Sequence, residues 1–186
     1  MRTRNRALEA YLVAAARLGE QRAMERLVEL RGPRLLAHAA RLLGDVEEAR
    51  DVAQDAWIEI FRGLGALDDV DAFPAWATQI VTRRVARLIR TKQRQRAIAG
   101  AVEVLPPDSD NCADGVAAAE ALMLRRAIAA LPRDQAATIA LFYLEDMGVA
   151  EVAQAMDVPP GTVKTRLMHA RAKLKEALKG ESDEQD

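Results

Sequence analysis

The segment VAEVAQAMDVPPGTVKTRLMHARAKL, residues 149–174, limits the fold more than any other part of the chain. Apolar residues recur at three- and four-residue steps on both sides of residues 157–160, which predicts two helices joined by a tight turn. Ala153 is small enough for the first helix to cross the second, and Asp157 is a residue type that adopts left-handed backbone geometry. The second helix is basic. This combination is typical of a helix-turn-helix that binds DNA.

The second helix is predicted to read bases with its centre and to hold phosphates with its edges. If Val163 and Leu167 are buried, then Thr165, Met168 and His169 point away from the core, with cations on either side. Thr162 is expected to cap the helix. The alternative is a basic surface helix of a bundle. The predicted DNA-binding residues are Thr162, Lys164, Thr165, Arg166, Met168, His169 and Arg171.

Composition favours helices and argues against several classes of enzyme. Half of the 186 residues are hydrophobic and only 4% are aromatic, and alanine, leucine and valine dominate. Two histidines and one cysteine, Cys112, cannot build a His/Cys metal site or an internal disulfide. The sequence contains no Gly-x-Ser-x-Gly elbow, phosphate-binding loop or dinucleotide fingerprint. We therefore predict a cytoplasmic protein that is not an enzyme and that uses no cofactor or metal.

The charge of the chain is nearly balanced, with 27 Lys and Arg against 28 Asp and Glu, but it is arranged in blocks. Residues 45–60 contain six acids and one base, residues 73–102 contain seven bases, and residues 103–120 contain five acids. The last block also carries Pro-Pro, Asn and Gly, which predicts a linker. We therefore predict an all-α protein. Its parts are an N-terminal four-helix domain at 1–100, an acidic flexible linker at 101–116, a C-terminal four-helix domain with the helix-turn-helix at 117–180, and a polar tail at 181–186.

The third predicted helix combines an apolar stripe with an acidic face. Asp45 is a plausible N-cap, and Glu48 is its capping-box partner. Alanines and aliphatic residues at three- and four-residue steps form the buried side. Acids, an amide and one exposed aliphatic side chain occupy the other side: Asp51, Gln54, Asp55 and Ile58. A solvated face does not require the exposed isoleucine, so a docking surface is the alternative that we consider.

The fourth predicted helix begins near Phe73 and carries a stripe of arginines opposite an apolar face. The residues of that apolar face are Phe73, Trp76, Ala77, Val81, Val85 and Leu88. Arg83, Arg87, Arg90 and Arg94 follow one another at steps that place them on one side of a helix. Stacked arginines repel one another, and a polyanion along this face would offset the repulsion. A solvated basic face is the alternative interpretation.

Three stretches resemble segments of the sigma-70 family of RNA polymerase sigma factors, and more narrowly the extracytoplasmic-function (ECF) subfamily. Residues 161–167, GTVKTRL, resemble the subfamily's Gly-Thr-Val-Lys-Ser-Arg-Leu recognition helix. Residues 50–55, RDVAQD, are similar to its core-binding pattern Asp/Glu-Asp-x-x-Gln-Asp/Glu. Residues 73–80, FPAWATQI, are similar to its Phe-x-x-Trp-x-x-x-Ile helix, which binds the −10 promoter element. The resemblance covers nearly the whole chain, in the family's order.

The resemblance implies a dissociable subunit that binds bacterial core RNA polymerase and directs promoter recognition and transcription initiation. The core-binding residues would be Asp51, Gln54, Asp55 and Ile58. The −10 element would be bound by Arg83, Arg84, Arg87, Arg90 and Arg94, and by the loop residues Leu67, Asp68 and Asp69, which would hold a flipped base. The recognition-helix residues named above would bind the −35 element. The resemblance also implies an anti-sigma factor as a partner, which could hold the chain at the membrane, and no small-molecule substrate.

The chain departs from the usual pattern at several positions. Arg83 and Arg87 stand where asparagine and aspartate are common in the family, and His169 stands where arginine is common. Asp157 stands where turns of this kind often have glycine. The competing interpretation is a stand-alone helix-turn-helix regulator, which would need a dimer interface or a ligand domain. The N-terminal half instead supplies a basic helix and an acidic docking face.

Overall fold

The computed structural model describes residues 2–99, 123–124 and 126–183, and every regular element within them is helical, as predicted. The longer helices are α1 (Arg2–Arg17), α2 (Gln21–Leu43), α3 (Val46–Gly63), α4 (Phe73–Ala99), α5 (Arg133–Ile139), α6 (Val149–Met156) and α7 (Pro160–Asp183). A π-helical stretch, Ala140–Leu144, continues α5, and two 3₁₀ turns, Leu64–Ala66 and Val70–Ala72, precede α4. The predicted linker and Cys112 lie outside the described residues.

Capping residues fix the junction between α2 and α3. Gly44 ends α2 with a φ of 73°, a conformation that glycine adopts without the penalty of a Cβ atom, and its N–H donates to the carbonyl of Ala40 at 2.7 Å. Asp45 then caps α3 as predicted, because its Oδ1 accepts from the backbone N–H of Glu48 at 3.0 Å. The carboxylate of Glu48 pairs with Lys92 of α4. The junction therefore fixes α3 relative to both of its neighbours.

The inner face of α4 is the apolar face that the sequence predicted. Phe73, Ala77, Val81 and Val85 are buried, and Trp76 packs against the same core. Full burial of each large apolar side chain stabilises the fold by about 1.5–3 kcal/mol. This burial fixes the rotation of α4 about its axis, and so it fixes which way the arginine stripe faces.

The N-terminal and C-terminal halves pack against each other and share one hydrophobic core. α2 lies against α5, and α4 lies against α6. Val152, Ala155 and Val163 of the C-terminal half are fully buried in the same cluster as Val81 of α4. The apolar faces of the two predicted helical units are therefore turned toward each other.

A buried ion-pair network also joins the halves. Arg31, which is 3% exposed, donates through Nε and Nη2 to the carboxylate of Glu9 at 2.5 and 2.6 Å. Its Nη1 donates to Oε2 of Glu145 at 3.0 Å, and Arg34 reaches the same oxygen at 3.2 Å. Two cations and two carboxylates thus balance one another between α1, α2 and the turn before α6. A buried charge is tolerated only with such partners.

A second polar chain runs from α2 through α4 to α6. His38 Nε2 lies 2.9 Å from Thr82 Oγ1, and the Thr82 hydroxyl is 2.7 Å from the carbonyl of Ala155 and 3.1 Å from that of Thr78. Thr82 has one hydroxyl proton, which it donates to one of these two carbonyls. The Thr82 oxygen must therefore accept the hydrogen bond from His38, whose Nε2 carries the proton. Burial, with a smaller contribution from the nearby Arg41 charge, lowers the pKa of His38 to about 3. His38 is therefore neutral at physiological pH.

Candidate nucleic-acid interface

The turn between α6 and α7 has the geometry predicted for a helix-turn-helix. Asp157 adopts a left-handed conformation, with φ 55° and ψ 44°, and the N–H of Val158 donates to the carbonyl of Ala153 at 3.0 Å. α7 begins at Pro160, so Thr162 lies inside the first turn, where its N–H donates to the carbonyl of the preceding Pro159 at 3.0 Å. The prediction that Thr162 caps the helix was wrong, because the two prolines start the helix earlier.

The outer face of α7 presents the residues that the sequence placed there. Three apolar residues are buried beneath it: Val163, Leu167 and Ala170. Thr165, His169 and Met168 are exposed, the last at 59%, and Lys164 is exposed beside them. The Thr165 hydroxyl donates to the backbone carbonyl of Gly161 at 3.1 Å. The two lone pairs of this hydroxyl and the methyl group of Thr165 are therefore available to a base edge.

Two of the predicted phosphate-binding arginines of α7 are held by neighbouring side chains. Arg166 Nη2 pairs with Asp134 Oδ2 at 2.6 Å and is largely covered. Arg171 Nε donates to the hydroxyl of Tyr143 at 2.8 Å, and its guanidinium lies 5.6 Å from the centroid of that ring and 5.8 Å from that of Phe142. Both arginines therefore lie at the edges of the reading face with part of their donor capacity already used within the protein.

The arginines of α4 differ in whether they form an ion pair within the described residues. Arg87, Arg90 and Arg94 are exposed along the helix. Arg84 is 24% exposed, and it donates through Nη1 to Asp55 and through Nε to Glu59, both at 2.9 Å. Arg84 therefore ties α4 to α3 and holds its guanidinium away from the stripe.

Arg83 is paired with the turn of the helix-turn-helix. Its Nη2 lies 3.1 Å from Oδ1 of Asp157 and its Nε lies 3.3 Å from Oδ2, while Gln79 Nε2 donates to Oδ1 at 2.9 Å. The hydrogen bonds from Arg83, and then those from Gln79, hold the pKa of Asp157 below its ordinary value, and the same pair raises the pKa of Arg83.

The predicted docking face of α3 points outward. Asp51, Gln54 and Asp55 are exposed, and Ile58 is 47% exposed beside them. Ala49, Val52, Ala53, Ala56 and Ile60 lie on the buried side. Ile58 is one of several large apolar side chains that are exposed in the described part of the chain, and it lies among the acids of α3.

The loop before α4 places only part of its predicted set at the surface. Asp68 and Asp69 are exposed, and Asp69 Oδ1 accepts from the N–H of Asp71 at 2.9 Å. Leu67 is 8% exposed and belongs to the hydrophobic core. Leu67 was expected to contact a flipped base, but its side chain is directed into the protein. It supports the loop from beneath.

The residues that join the halves escaped the sequence analysis. Gln79 and Asp157 meet although 78 positions separate them, and Arg31 meets Glu145 across 114 positions. Neither periodicity nor a local motif indicates such a pair. A left-handed Asp157 was predicted from the turn, but its partner was not.

Searches for other chemistry give two negative results within the described residues. No group of three or more His, Cys, Asp and Glu side chains there could hold a metal ion. None of the described helices combines the length and the apolar character that crossing a membrane requires.

Comparisons with known proteins agree on one family. The model of sigma-70 region 2 matches residues 27–95, and the model of sigma-70 region 4 matches residues 121–174. The chain is similar to the ECF sigma factor SigW of Bacillus subtilis, with 29% identity covering 87% of this chain and 91% of the relative. It is similar to the ECF sigma factor SigM of Mycobacterium tuberculosis, with 32% identity covering 91% of this chain and 84% of the relative.

A solved structure supports the fold. The sigma factor RpoE of Bartonella quintana, solved in complex with the anti-sigma factor NepR, superposes with a TM-score of 0.66. The two proteins share 21% identity, and the match covers 83% of this chain and 96% of the other. The helical architecture described above is therefore that of a known sigma factor.

Proposed function

The chain belongs to the ECF sigma factors of bacterial RNA polymerase. From this premise we propose which of its surfaces binds core polymerase and which bind the two promoter elements. As a sigma factor it binds core polymerase and promoter DNA, and none of the matched families is catalytic. The observation that carries the proposal is the outward placement of three faces on helices whose other sides are buried. These faces are the acidic face of α3, the arginine stripe of α4 and the polar face of α7.

The acidic face of α3 docks on core polymerase. Asp51 and Gln54 supply charge and hydrogen bonds around Ile58, which supplies apolar area that leaves water on binding. Asp55 joins this face, but its pairing with Arg84 gives it a second role between α3 and α4. Asp51 is therefore the residue that tests docking without disturbing the fold.

Replacing Asp51 with lysine should weaken binding to core polymerase on the order of tenfold or more, because the charge that faces the partner is reversed. The matched control is Glu25→Lys, which reverses one exposed acid on α2, outside the proposed face. Titration of labelled chain with core polymerase measures both. Wild-type affinity in Asp51→Lys, with circular dichroism showing an unchanged fold, would remove α3 from the docking surface.

The arginine stripe of α4 follows the −10 element. Arg87, Arg90 and Arg94 hold the backbone, and the exposed Asp68 and Asp69 border the loop that receives a flipped base. The polar face of α7 reads the −35 element. Thr165, Met168 and His169 contact base edges, and Lys164, Arg166 and Arg171 contact phosphates, with Thr162 at the margin.

Substitutions on α7 should separate base reading from phosphate binding. Thr165→Ala and His169→Ala should change which base is preferred at one −35 position, because a lost base contact costs about 1–3 kcal/mol there. Lys164→Ala should weaken binding to all −35 sequences alike. It should also reduce the slope of the logarithm of the binding constant against the logarithm of salt concentration by about one unit. A library of −35 base substitutions, transcribed by each holoenzyme, measures this. A shifted preference in Lys164→Ala with uniform losses in the other two would mean that the helix is rotated relative to this assignment.

We propose further that an anti-sigma factor regulates the chain. The similarly folded RpoE is known in complex with such a factor, NepR. The site of action is the cytoplasm, where core polymerase and promoter DNA are found. A membrane-anchored regulator would hold the chain at the membrane until it is released.

A further inference from the structure

One face of α4 lies against the turn of the helix-turn-helix. Gln79, Thr82 and Arg83 fall on the same side of the helix, since they are spaced by three and four residues. Each bonds to the end of α6 or to the turn after it: Thr82 to the carbonyl of Ala155, and the other two to the carboxylate of Asp157. We call the set formed by Gln79, Arg83 and Asp157 the clasp.

The hydrogen bonds of the Asp157 side chain, and not the backbone conformation, explain why an aspartate occupies this position. Asp157 sits at the left-handed position after α6, which glycine occupies at lower cost. Its carboxylate accepts three hydrogen bonds from two side chains of α4, and these offset that cost. A glycine would keep the turn and lose the clasp. Both charged partners also depart from the pattern that this chain otherwise resembles, Arg83 in α4 and Asp157 in the turn.

The clasp and promoter DNA require the same donors. Nε and Nη2 form the edge of a guanidinium that binds a phosphate or a carboxylate through two hydrogen bonds, and on Arg83 this edge holds Asp157. Arg87, one turn along the same stripe, is exposed and has no ion pair within the described residues. A phosphate on the stripe can therefore meet Arg87 directly, but it reaches the Nε–Nη2 edge of Arg83 only after Asp157 has left that edge.

We propose that Asp157 is an intramolecular competitor of DNA for Arg83. In the free chain the buried core holds the helix-turn-helix against the −10 face, the carboxylate of Asp157 occupies Arg83, and a DNA phosphate on Arg83 displaces that carboxylate. The inference rests on the proposed role of the arginine stripe. Under this proposal, the contact between Asp157 and Arg83 weakens DNA binding until the two halves separate.

The test is a set of substitutions with one probe, a fluorescein-labelled short DNA duplex of mixed sequence, titrated at low salt and followed by anisotropy. Asp157→Gly should bind this duplex about two- to fivefold more tightly, the range expected from the loss of an exposed ion pair. Arg83→Gln alone should weaken binding less than it does in the Asp157→Gly background, because it removes a phosphate contact and its competitor together. In the Asp157→Gly background, Arg83→Gln should weaken binding about two- to fivefold. Arg87→Gln, the matched control, should weaken binding by a similar factor in both backgrounds.

The result that overturns the clasp is an Arg83→Gln variant that weakens binding equally with and without Asp157, or an Asp157→Gly variant that binds no more tightly than wild type. Asp157→Asn, which keeps a residue that tolerates the left-handed conformation, replaces the glycine variant if that one fails to fold. Failure of the proposed function gives a different pattern. If Arg87→Gln has no effect in either background, the arginine stripe does not bind DNA, and both proposals fall together.

Discussion

The variant Arg31→Met should be less stable than wild type by about 3–5 kcal/mol, because it leaves a buried carboxylate without its cation. Glu9 is 4% exposed and receives two hydrogen bonds from Arg31, and Glu145 receives a third. The matched control is Arg26→Met on the same helix, which breaks an exposed pair with Glu29. That change should cost no more than about 1 kcal/mol.

Urea unfolding, followed by circular dichroism, measures the free energy of unfolding of both variants. The double variant Glu9→Leu/Arg31→Met should recover part of the loss, because it replaces a buried ion pair with apolar side chains of comparable size. Equal, small losses in Arg31→Met and Arg26→Met would show that the network between α1, α2 and the turn before α6 does not stabilise the fold in solution.

The second large effect is a dependence of stability on pH that originates at His38. The folded pKa of His38 is lowered from 6.5 to about 3, so between these values the unfolded chain binds a proton that the folded chain does not. Stability is therefore complete above the unfolded pKa, and it declines as the pH falls from 6.5 toward 3. The slope from this one group is up to about 1.4 kcal/mol per pH unit.

The chain carries its own control for this measurement, because it has two histidines. His38→Asn should reduce the slope of unfolding free energy against pH by the contribution of one proton, whereas His169→Asn, at the exposed face of α7, should leave it unchanged. The two variants differ in which imidazole they lack, so the difference between their slopes isolates the buried imidazole of His38. Identical slopes in wild type and His38→Asn would contradict its burial in the neutral form.

Local patterns were sufficient to predict α3, α4, α6 and α7, and also which way most of these helices are rotated. The apolar stripe of α4 predicted which of its residues are buried, and the stripe of α7 predicted that Thr165, Met168 and His169 are exposed. The left-handed Asp157 followed from the turn chemistry. These features depend on residues within one or two helical turns of each other, and the sequence displays such spacings directly.

The departures from prediction arise where distant segments meet. Leu67 was assigned to a surface loop, but packing against the core took precedence over its position in the sequence. Arg84 was assigned to DNA with its neighbours, but it pairs with Asp55 and Glu59 of α3. Arg83 was assigned in the same way, and it meets Asp157 from the other half of the chain. A sequence shows the charge on each of these side chains but does not show which opposite charge lies beside it.

The two halves thus contact each other through side chains that are also proposed to contact DNA. Arg83 pairs with Asp157 inside the protein, and its proposed partner outside the protein is a DNA phosphate. We therefore expect the chain alone to bind DNA weakly. Its affinity for DNA should rise when core polymerase holds both halves on one promoter, because each of two linked contacts then raises the effective concentration of the other.

Transcription from a promoter template with purified components is the most direct test of the central claim. Core RNA polymerase alone, the chain alone, and the two together are incubated with DNA from the source genome, and the 5′ ends of the transcripts are mapped. The account predicts discrete start sites that appear only when the chain and the core are both present, preceded by shared −35 and −10 sequences, with weak DNA binding by the chain alone. Tight, sequence-specific DNA binding by the isolated chain, with no new start sites when it is added to core polymerase, would contradict it.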